Sequence, residues 1–466
     1  MSSLTRTPPA GLAPPAPRFA PWWKDAAGAL VWLSLLAVVA MWLAGGGLSG
    51  LTGTAAAITS LGRLTALLAA NLMLLQVLLL ARIPAVERSF GQDELVRSHR
   101  QLGFASFTLM VAHVGLILLG YAGARLDRLV PVTVEVALDL PGMLLAVAGT
   151  ACLVMVVVTS VRRTRAALRY ESWHLLHLYA YLGVFLALPH QLWTGTDLLA
   201  NPVATAYWWT VWLAAAGSVL VWRVVVPLVL SRRHDLRVQA VHDDGDGVHT
   251  VVVTGRHLAR LRVAAGQFFT WRFLDGPGWT RGHPYSLSAA PDGRTLAVSV
   301  AAVGDGSARV ATLRPRTRVL IEGPYGRMHP GVRRRTKVAL IAAGIGIAPM
   351  KALIEALEVA PGELSVLHRV SCPDTVPLHA KVAAAVQARG GRLLLLPGPR
   401  RPDAASWLPQ RWEHGSDAAA LRRLLPDIAE HDVYVCGPPG WLDLVVDALA
   451  EAGVPDGQIH RERFAW

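Results

Sequence analysis

Five histidines lie inside two of the most apolar stretches of the chain. His99 and His113 fall within residues 98–120, and His174, His177 and His190 fall within 171–193. A titratable side chain in hydrocarbon is costly, so an imidazole there is kept for a function or for hydrogen bonding between helices. Imidazole is also a common axial ligand of haem iron. His99 and His177 lie toward one end of their stretches, while His113 and His190 lie roughly 20 Å further along at about 1.5 Å per residue. Two layers result, each with one imidazole from each stretch. Two stacked b haems need that arrangement and would form an electron path across a bilayer. One histidine alone would read as a helix–helix hydrogen bonder or a proton relay; two matched pairs at two depths favour iron. On an ideal helix His113 returns to within about 40° of His99, whereas His190 is about 140° from His177. Pro189 directly precedes His190 and could kink the helix enough to re-aim it. His174 is the rival inner ligand, and Arg223 would either meet a haem propionate or snorkel to the interface.

A second group of residues lies beyond position 232. His283-Pro284-Tyr285-Ser286 follows a Gly-rich turn. An aromatic ring followed by a hydroxyl can cover a flavin ring and bond its edge. Gly306 and Ser307 open a short helix whose free N–H groups suit a pyrophosphate. Residues 338–350 read as a buried strand, a Gly344-x-Gly346-x-x-Pro349 turn and a helix. The glycines let backbone approach a phosphate, and the helix start favours its charge. Proline at the third position separates this from the Rossmann fingerprint. Arg369 and Ser371 end the next strand where a ribose or its 2′-phosphate would lie, which leans toward NADPH over NADH. Cys436-Gly437-Pro438 ends a later strand, where ligands bind in parallel sheets, and Cys436 would lie beside the nicotinamide. The terminal Trp466 is free to cover a ring and move away.

These residues need two kinds of scaffold. Of the 466 residues, 53% are hydrophobic and 17% charged; a soluble protein carries about 25% charged residues. Six apolar stretches, 27–46, 60–81, 98–120, 140–161, 171–193 and 203–230, are long enough to cross a bilayer. Arginines crowd the second and fourth loops (Arg82, Arg88, Arg97, Arg100; Arg162, Arg163, Arg165, Arg169) and follow the sixth stretch (Arg232, Arg233). The positive-inside bias then puts both termini in the cytoplasm. The net charge of +13 is largely topological, so nucleic acid is not an expected partner. Three cysteines, Cys152, Cys372 and Cys436, lie far apart, excluding a disulfide framework, a zinc ribbon and covalent haem attachment. The Pro- and Ala-rich start reads as a disordered tail, without the apolar region of a signal peptide. From 232 to 332, short Val/Leu runs between Gly and Pro turns predict an antiparallel barrel; from 333 on, strands alternate with helices, which predicts a parallel sheet.

In this order the motifs resemble the superfamily of ferric reductases and NADPH oxidases, in its bacterial form. There, a six-helix ferric-reductase-like transmembrane domain is joined to a ferredoxin-reductase-type flavin and nicotinamide module. The resemblance covers nearly everything after residue 25. It implies haem ligation by His99, His113, His177 and His190, with His174 an adjacent extra. It implies flavin binding by His283, Pro284, Tyr285 and Ser286 and by the turn at Gly306 and Ser307, and it extends to Glu322–Gly326. It implies nicotinamide binding by Gly344, Gly346, Pro349, Cys436, Gly437, Pro438 and Trp466.

The expected protein is therefore a multi-domain membrane protein. A tail (1–24) precedes a six-helix transmembrane bundle (25–231), an FAD-binding antiparallel β-barrel (232–332) and an α/β parallel-sheet NAD(P)H domain (333–466). Its expected place is the plasma membrane. Its expected activity is electron transfer from NADPH or NADH, through FAD and two b haems, to a small acceptor at the outer face: a ferric or cupric chelate, or O2 yielding superoxide. Tyr285, Ser286, Cys436 and Trp466 are the expected catalytic residues. A haem-binding sensor with a decayed dehydrogenase half is the alternative from a different class; the intact glycine and Cys-Gly-Pro motifs argue against decay.

Overall fold

The computed structural model describes residues 22–168, 170–199, 201–276, 281–400, 405–412 and 415–463. The expected tail up to residue 21, and Trp466, lie outside the described residues. The chain forms two compact units that divide at Val224/Val225. The boundary expected after 231 moves toward the N-terminus for a local reason. The helix Val226–His234 packs on the barrel strand Val319–Tyr325, and the Ser231 hydroxyl accepts the Ile321 N–H at 3.3 Å.

Six helical segments of the first unit are long and apolar enough to cross a membrane: Trp22–Ala44, Thr54–Leu80, Glu94–Tyr121, Met143–Ser160, Ser172–Trp193 and Pro202–His234. Each overlaps one expected stretch, the fourth being shorter than expected at both ends. Leu33, Phe104, Val158 and Leu213 stand exposed on them. Such a surface would drive aggregation in water and is at home in hydrocarbon, where helices satisfy their own backbone groups. Small residues set the closest approaches. A Cβ on Gly149 of the fourth span would lie 2.6 Å from the Gly183 carbonyl of the fifth, and one on Gly183 would lie 2.9 Å from the Gly149 carbonyl. Close backbone packing replaces the hydrophobic drive that lipid removes. Asn71 of the second span, fully buried, donates to Ser34 at 2.6 Å and accepts from the Tyr207 hydroxyl at 2.8 Å, tying the first, second and sixth spans together.

Two spans are irregular. The fifth breaks into Tyr170–Leu186 and Leu188–Trp193, with Pro189 in the first turn of the second piece. The sixth is α-helical over Pro202–Val219, then widens into a π-helical turn, Leu220–Val225, that carries Arg223. An unanticipated helix, Leu129–Asp139, follows the third span and buries Val132 and Val136 against Ala122.

After the helix Val226–His234, the second unit forms six antiparallel strands: β1 (Arg237–Asp243), β2 (Val248–Thr254), β3 (Phe268–Phe273), β4 (His283–Ser286), β5 (Thr295–Ala301) and β6 (Val319–Tyr325). They pair as β1-β2-β5 and β4-β3-β6. Single bridges, Arg237 to Arg318 and Leu287 to Val298, join the edges of the two sheets. Val251, Phe269, Trp271, Leu287 and Val298 fill the interior. This is the expected barrel, joined at its seams by bridges rather than by long ladders.

Five parallel strands follow: β7 (Lys337–Ala343), β8 (Leu364–Val370), β9 (Arg392–Pro397), β10 (His431–Gly437) and β11 (Ile459–Arg463), in the order β11-β10-β7-β8-β9. β8 and β10 are buried along their whole length, as strands covered by helices on both faces must be. The chain starts at β7, builds outward through β8 and β9, then returns to the other side of β7 with β10. The strand order thus reverses between β7 and β10, and the carboxyl ends beside such a reversal are where ligands bind in parallel sheets.

The span packing gives a test. Gly149→Ala forces a methyl group into the Gly183 backbone and should destabilise the protein by about 1–3 kcal/mol. Gly217 has nothing within 4 Å of its would-be Cβ, so Gly217→Ala should leave the thermal midpoint unchanged or raised. Thermal unfolding of both variants in detergent, followed by size-exclusion chromatography, checks the contrast.

Candidate functional site

The histidines of the first unit form two pairs. The rings of His99 and His177 lie with centroids 6.0 Å apart and planes at 63°. An imidazole nitrogen sits about 2 Å from a bound metal, with its ring centre roughly 1 Å behind it, so two axial imidazoles hold their ring centres about 6 Å apart. The ring that meets His99 is that of His177; His174 is a half-buried electrostatic neighbour of His177. In the other layer His113 and His190 interact electrostatically. Pro189 and the helix break at Ala187 lie beside His190, where the sequence required a re-aiming.

The second ring nitrogens are largely occupied. His99 Nδ1 lies 3.4 Å from the Gln76 carbonyl and His113 Nδ1 lies 3.0 Å from the Gly62 carbonyl, both on the second span. His177 Nδ1 lies 3.3 Å from the Ser160 hydroxyl. Iron-ligating histidines characteristically donate their other N–H in this way, which sets the tautomer and leaves Nε2 for the metal. His190 Nδ1 is buried with no hydrogen-bond partner. Among the described residues no group of three or more His, Cys, Asp or Glu gathers as a chelate. Paired imidazoles suit a metal whose remaining positions a macrocycle fills, so these residues fit haem. Gly142 packs beside His190: a Cβ there would come within 3.0 Å of the His190 Cα.

On the barrel, His283 to Ser286 form β4. Trp271 Nε1 donates to the Tyr285 carbonyl at 2.9 Å and fixes the strand, and the His283 and Tyr285 rings lie nearly parallel, 5.8 Å apart. Burial pushes the Tyr285 phenol up to about 12, so it stays neutral. Next to β4 is a small open cavity of about 60 Å³, lined among others by Asp275, Arg281, His283, Gly306 and Arg309. A Cβ on Gly306 would lie 2.6 Å from the His283 ring, so a larger residue here would displace that ring. Ser307 is engaged within its own turn. Its hydroxyl accepts the Val303 and Gly304 N–H groups, both at 3.0 Å, and donates to the Gly304 carbonyl. It shapes the turn by taking up these N–H groups. Arg281 and Arg309 also line the cavity, Arg309 paired there with Asp275 at 3.0 Å. Both went unnoticed in the sequence, although each sits within three residues of a motif, His283 and Gly306 respectively.

At the crevice between β7 and β10, Gly344 to Gly346 form a tight turn ahead of the helix Ile347–Ala356, and Gly344 takes a φ of +52°. A Cβ on Gly346 would lie 2.4 Å from the Cys436 carbonyl. The glycine turn and the Cys436-Gly437-Pro438 turn are therefore packed backbone against backbone. Pro349 is buried in the first helical turn, where a missing N–H leaves no bond unmade. Cys436 is completely buried, and burial, with Glu462 adding to it, pushes its thiol well up. It shapes the floor of the crevice as a thiol; the thiolate needed for nucleophilic chemistry is disfavoured. Glu462 pairs in register with Cys436, and its carboxylate lies 2.8 Å from where a Cβ of Gly326 would be, drawing β10, β11 and the end of β6 together.

Arg369 stands at the end of β8, as the sequence placed it, but its side chain is turned to backbone. It is buried, and its guanidinium donates to the carbonyls of Val370 and Leu396, clamping the ends of β8 and β9. The lean toward NADPH loses this support. Ser371 is exposed just beyond β8. The neighbouring His368, passed over in the sequence, has the closer role. Its Nε2 donates to the Gly344 carbonyl at 3.0 Å and holds the glycine turn. Burial lowers its pKa to about 4.

Residues 65–188 match the family described as ferric reductase like transmembrane component, and residues 340–447 match the oxidoreductase NAD-binding domain. The ferredoxin reductase component of 3-ketosteroid-9-alpha-monooxygenase from Mycolicibacterium smegmatis is 30% identical over 241 residues, 49% of this chain and 65% of that protein. A flavohemoprotein from Vibrio cholerae is 28% identical over 207 residues, 41% of this chain and 48% of that protein. The chain thus spans about half to just under two thirds of the length of these curated relatives. Among solved structures, the FAD/NAD-binding domain of nitric oxide dioxygenase from Vibrio cholerae covers 50% of this chain and 99% of its own, at 24% identity and a TM-score of 0.40. The chain joins a ferric-reductase-like transmembrane domain to a ferredoxin-reductase-type FAD/NAD-binding module, the fused architecture of the ferric reductases and NADPH oxidases.

His368 makes the crevice sensitive to acid. Its pKa lies near 4 in the fold against 6.5 when exposed. Between these values the unfolded chain binds the proton more readily, so stability is full above about pH 6.5 and falls as the pH drops toward about 4, by up to about 3 kcal/mol. Denaturant unfolding of the full chain from pH 7.5 to 4.5 should show this slope, and His368→Leu should flatten it while raising the KM for nucleotide.

Proposed function

We propose that this protein is a membrane flavocytochrome that takes a hydride from NADPH or NADH at the β7/β10 crevice and delivers single electrons through two b haems to an acceptor at the outer face of the plasma membrane. A ferric or cupric chelate is one acceptor class, and O2, giving superoxide, is the other. Both termini lie in the cytoplasm, as the arginine-rich loops favour. The observation that carries the reading is the His99–His177 pair. With their rings 6.0 Å apart, these two imidazoles would hold one iron between them, and their Nδ1 atoms are turned to Gln76 and Ser160.

The flavin, when bound, accepts a hydride and gives up electrons one at a time, and haem iron carries one electron at a time. The chain's own residues do the rest. His99 with His177 and His113 with His190 would hold the two irons, and the Gln76 and Gly62 carbonyls keep the rings in the ligating tautomer. Tyr285 offers a neutral ring beside the cavity where Arg281 and Arg309 would meet the flavin pyrophosphate. Gly344 and Gly346 let the nucleotide phosphates approach backbone, and His368 keeps the turn in place. Cys436 and Glu462 close the floor of the crevice beside the bound nicotinamide.

Absorbance spectra of the purified protein before and after anaerobic NADPH test the whole path. The expected result is a bis-histidine b-type Soret band that shifts on reduction, with flavin bleaching. His177→Ala should lose about half the haem, and His174→Ala should keep it. Pyridine haemochrome analysis that finds no porphyrin in folded protein would refute the reading.

A further inference from the structure

The chain leaves its last apolar span through the helix Val226–His234, and one end of the barrel gathers around the foot of that helix. Arg256 N–H donates to the His234 carbonyl at 2.6 Å, Val238 and Val319 donate to the Thr317 and Leu236 carbonyls, both at 2.9 Å, and Arg237 bridges Arg318. The backbones of three segments (232–238, 255–256 and 316–319) therefore meet at one place. Arg232, Arg233, Arg256, Arg316 and Arg318 are exposed there. Arg237 pairs with Asp235 at 3.3 Å; among the described residues no ion pair holds the other five. Arg316 takes a φ of +72°. Glycine meets that conformation at less strain, so an arginine there points to a use for its side chain. Leu228 and Val229 of the same helix are exposed and apolar.

We propose that this arginine collar binds the anionic headgroups of the cytoplasmic lipid leaflet and anchors the flavin barrel to the membrane surface. Basic clusters immediately cytoplasmic to a span attract anionic lipid electrostatically, and an arginine fork can grip a headgroup phosphate in two places. The apolar Leu228 and Val229 lie one to two helical turns from Arg232 and Arg233, so hydrocarbon and headgroup contacts fall in the order that a bilayer presents them. The occupant is lipid, because the collar sits at the foot of the spanning helix. The proposal rests on the reading of the six helices as membrane spans.

The test uses the full chain in nanodiscs of phosphatidylcholine alone or with phosphatidylglycerol. Incorporation is read first by co-elution, and a chain that does not incorporate overturns the spans and the proposal together. Hydrogen–deuterium exchange of 254–262 and 314–319 is then compared. With phosphatidylglycerol these segments should exchange at least about fivefold more slowly, the factor that the attraction of a single arginine to an anionic surface supplies. High salt should remove the protection. The combined variant R232Q, R233Q, R256Q and R316Q should remove it at low salt. Equal exchange in both lipids overturns the proposal, and so does equal protection by inorganic phosphate in phosphatidylcholine nanodiscs, which would mark a site for free anions. The comparison between lipids is made on the unaltered chain and stands even if the variant misfolds.

Discussion

An imidazole in hydrocarbon must satisfy two nitrogens at once, and the first unit is organised around that demand. The second span supplies carbonyls to His99 and His113, and Ser160 of the fourth supplies a hydroxyl near His177. A backbone carbonyl inside a regular helix already accepts one hydrogen bond, and the Gly62 carbonyl accepts the Thr65 hydroxyl as well, so the imidazoles are added donors to carbonyls already in use. The arrangement needs the second and third spans close together, and Gly62 permits it: a Cβ there would press on Leu116 and Ile117 at 3.0–3.1 Å. The residue whose carbonyl holds His113 is thus also the residue whose missing side chain lets the helices approach.

The second unit solves a different problem, that of bringing polyanionic nucleotides against backbone without leaving space for water. Gly306 yields to the His283 ring, Gly346 to the Cys436 carbonyl and Gly326 to the Glu462 carboxylate. Each glycine marks a place where two segments distant in sequence touch. Arginines line the cavity beside β4, Arg281 and Arg309, the second paired with Asp275. His368, kept neutral by burial, serves as a hydrogen-bond donor that adds no charge to the phosphate turn.

Arg369 and Ser307 show where reading from sequence loses its hold. Both occupy positions that matched an expected ligand contact, yet their polar atoms are turned to nearby backbone: Arg369 to the ends of β8 and β9, Ser307 to its own turn. A side chain next to a motif competes for unpaired carbonyl and N–H groups at strand ends and turns, and linear spacing does not report who wins. Arg281, Arg309 and His368 illustrate the converse, since their use depends on which loops converge. The broken fifth span lies between these cases. Pro189 marked the position of the break, and only the packing of Leu188–Trp193 beside Gly142 decided where His190 would sit.

The sequence alone determined the six spans, the two histidine layers and the order of barrel and parallel sheet. Apolar length, helical rise and strand alternation are properties of consecutive residues, and burial simply follows them. The tertiary structure decided the partners: which carbonyl meets each imidazole, that His177 rather than His174 faces His99, and that the glycine turn after β7 meets Cys436 at the reversal of strand order. These contacts join residues tens to about a hundred positions apart. Their existence depends on helix packing and sheet order, which no local pattern in the chain encodes.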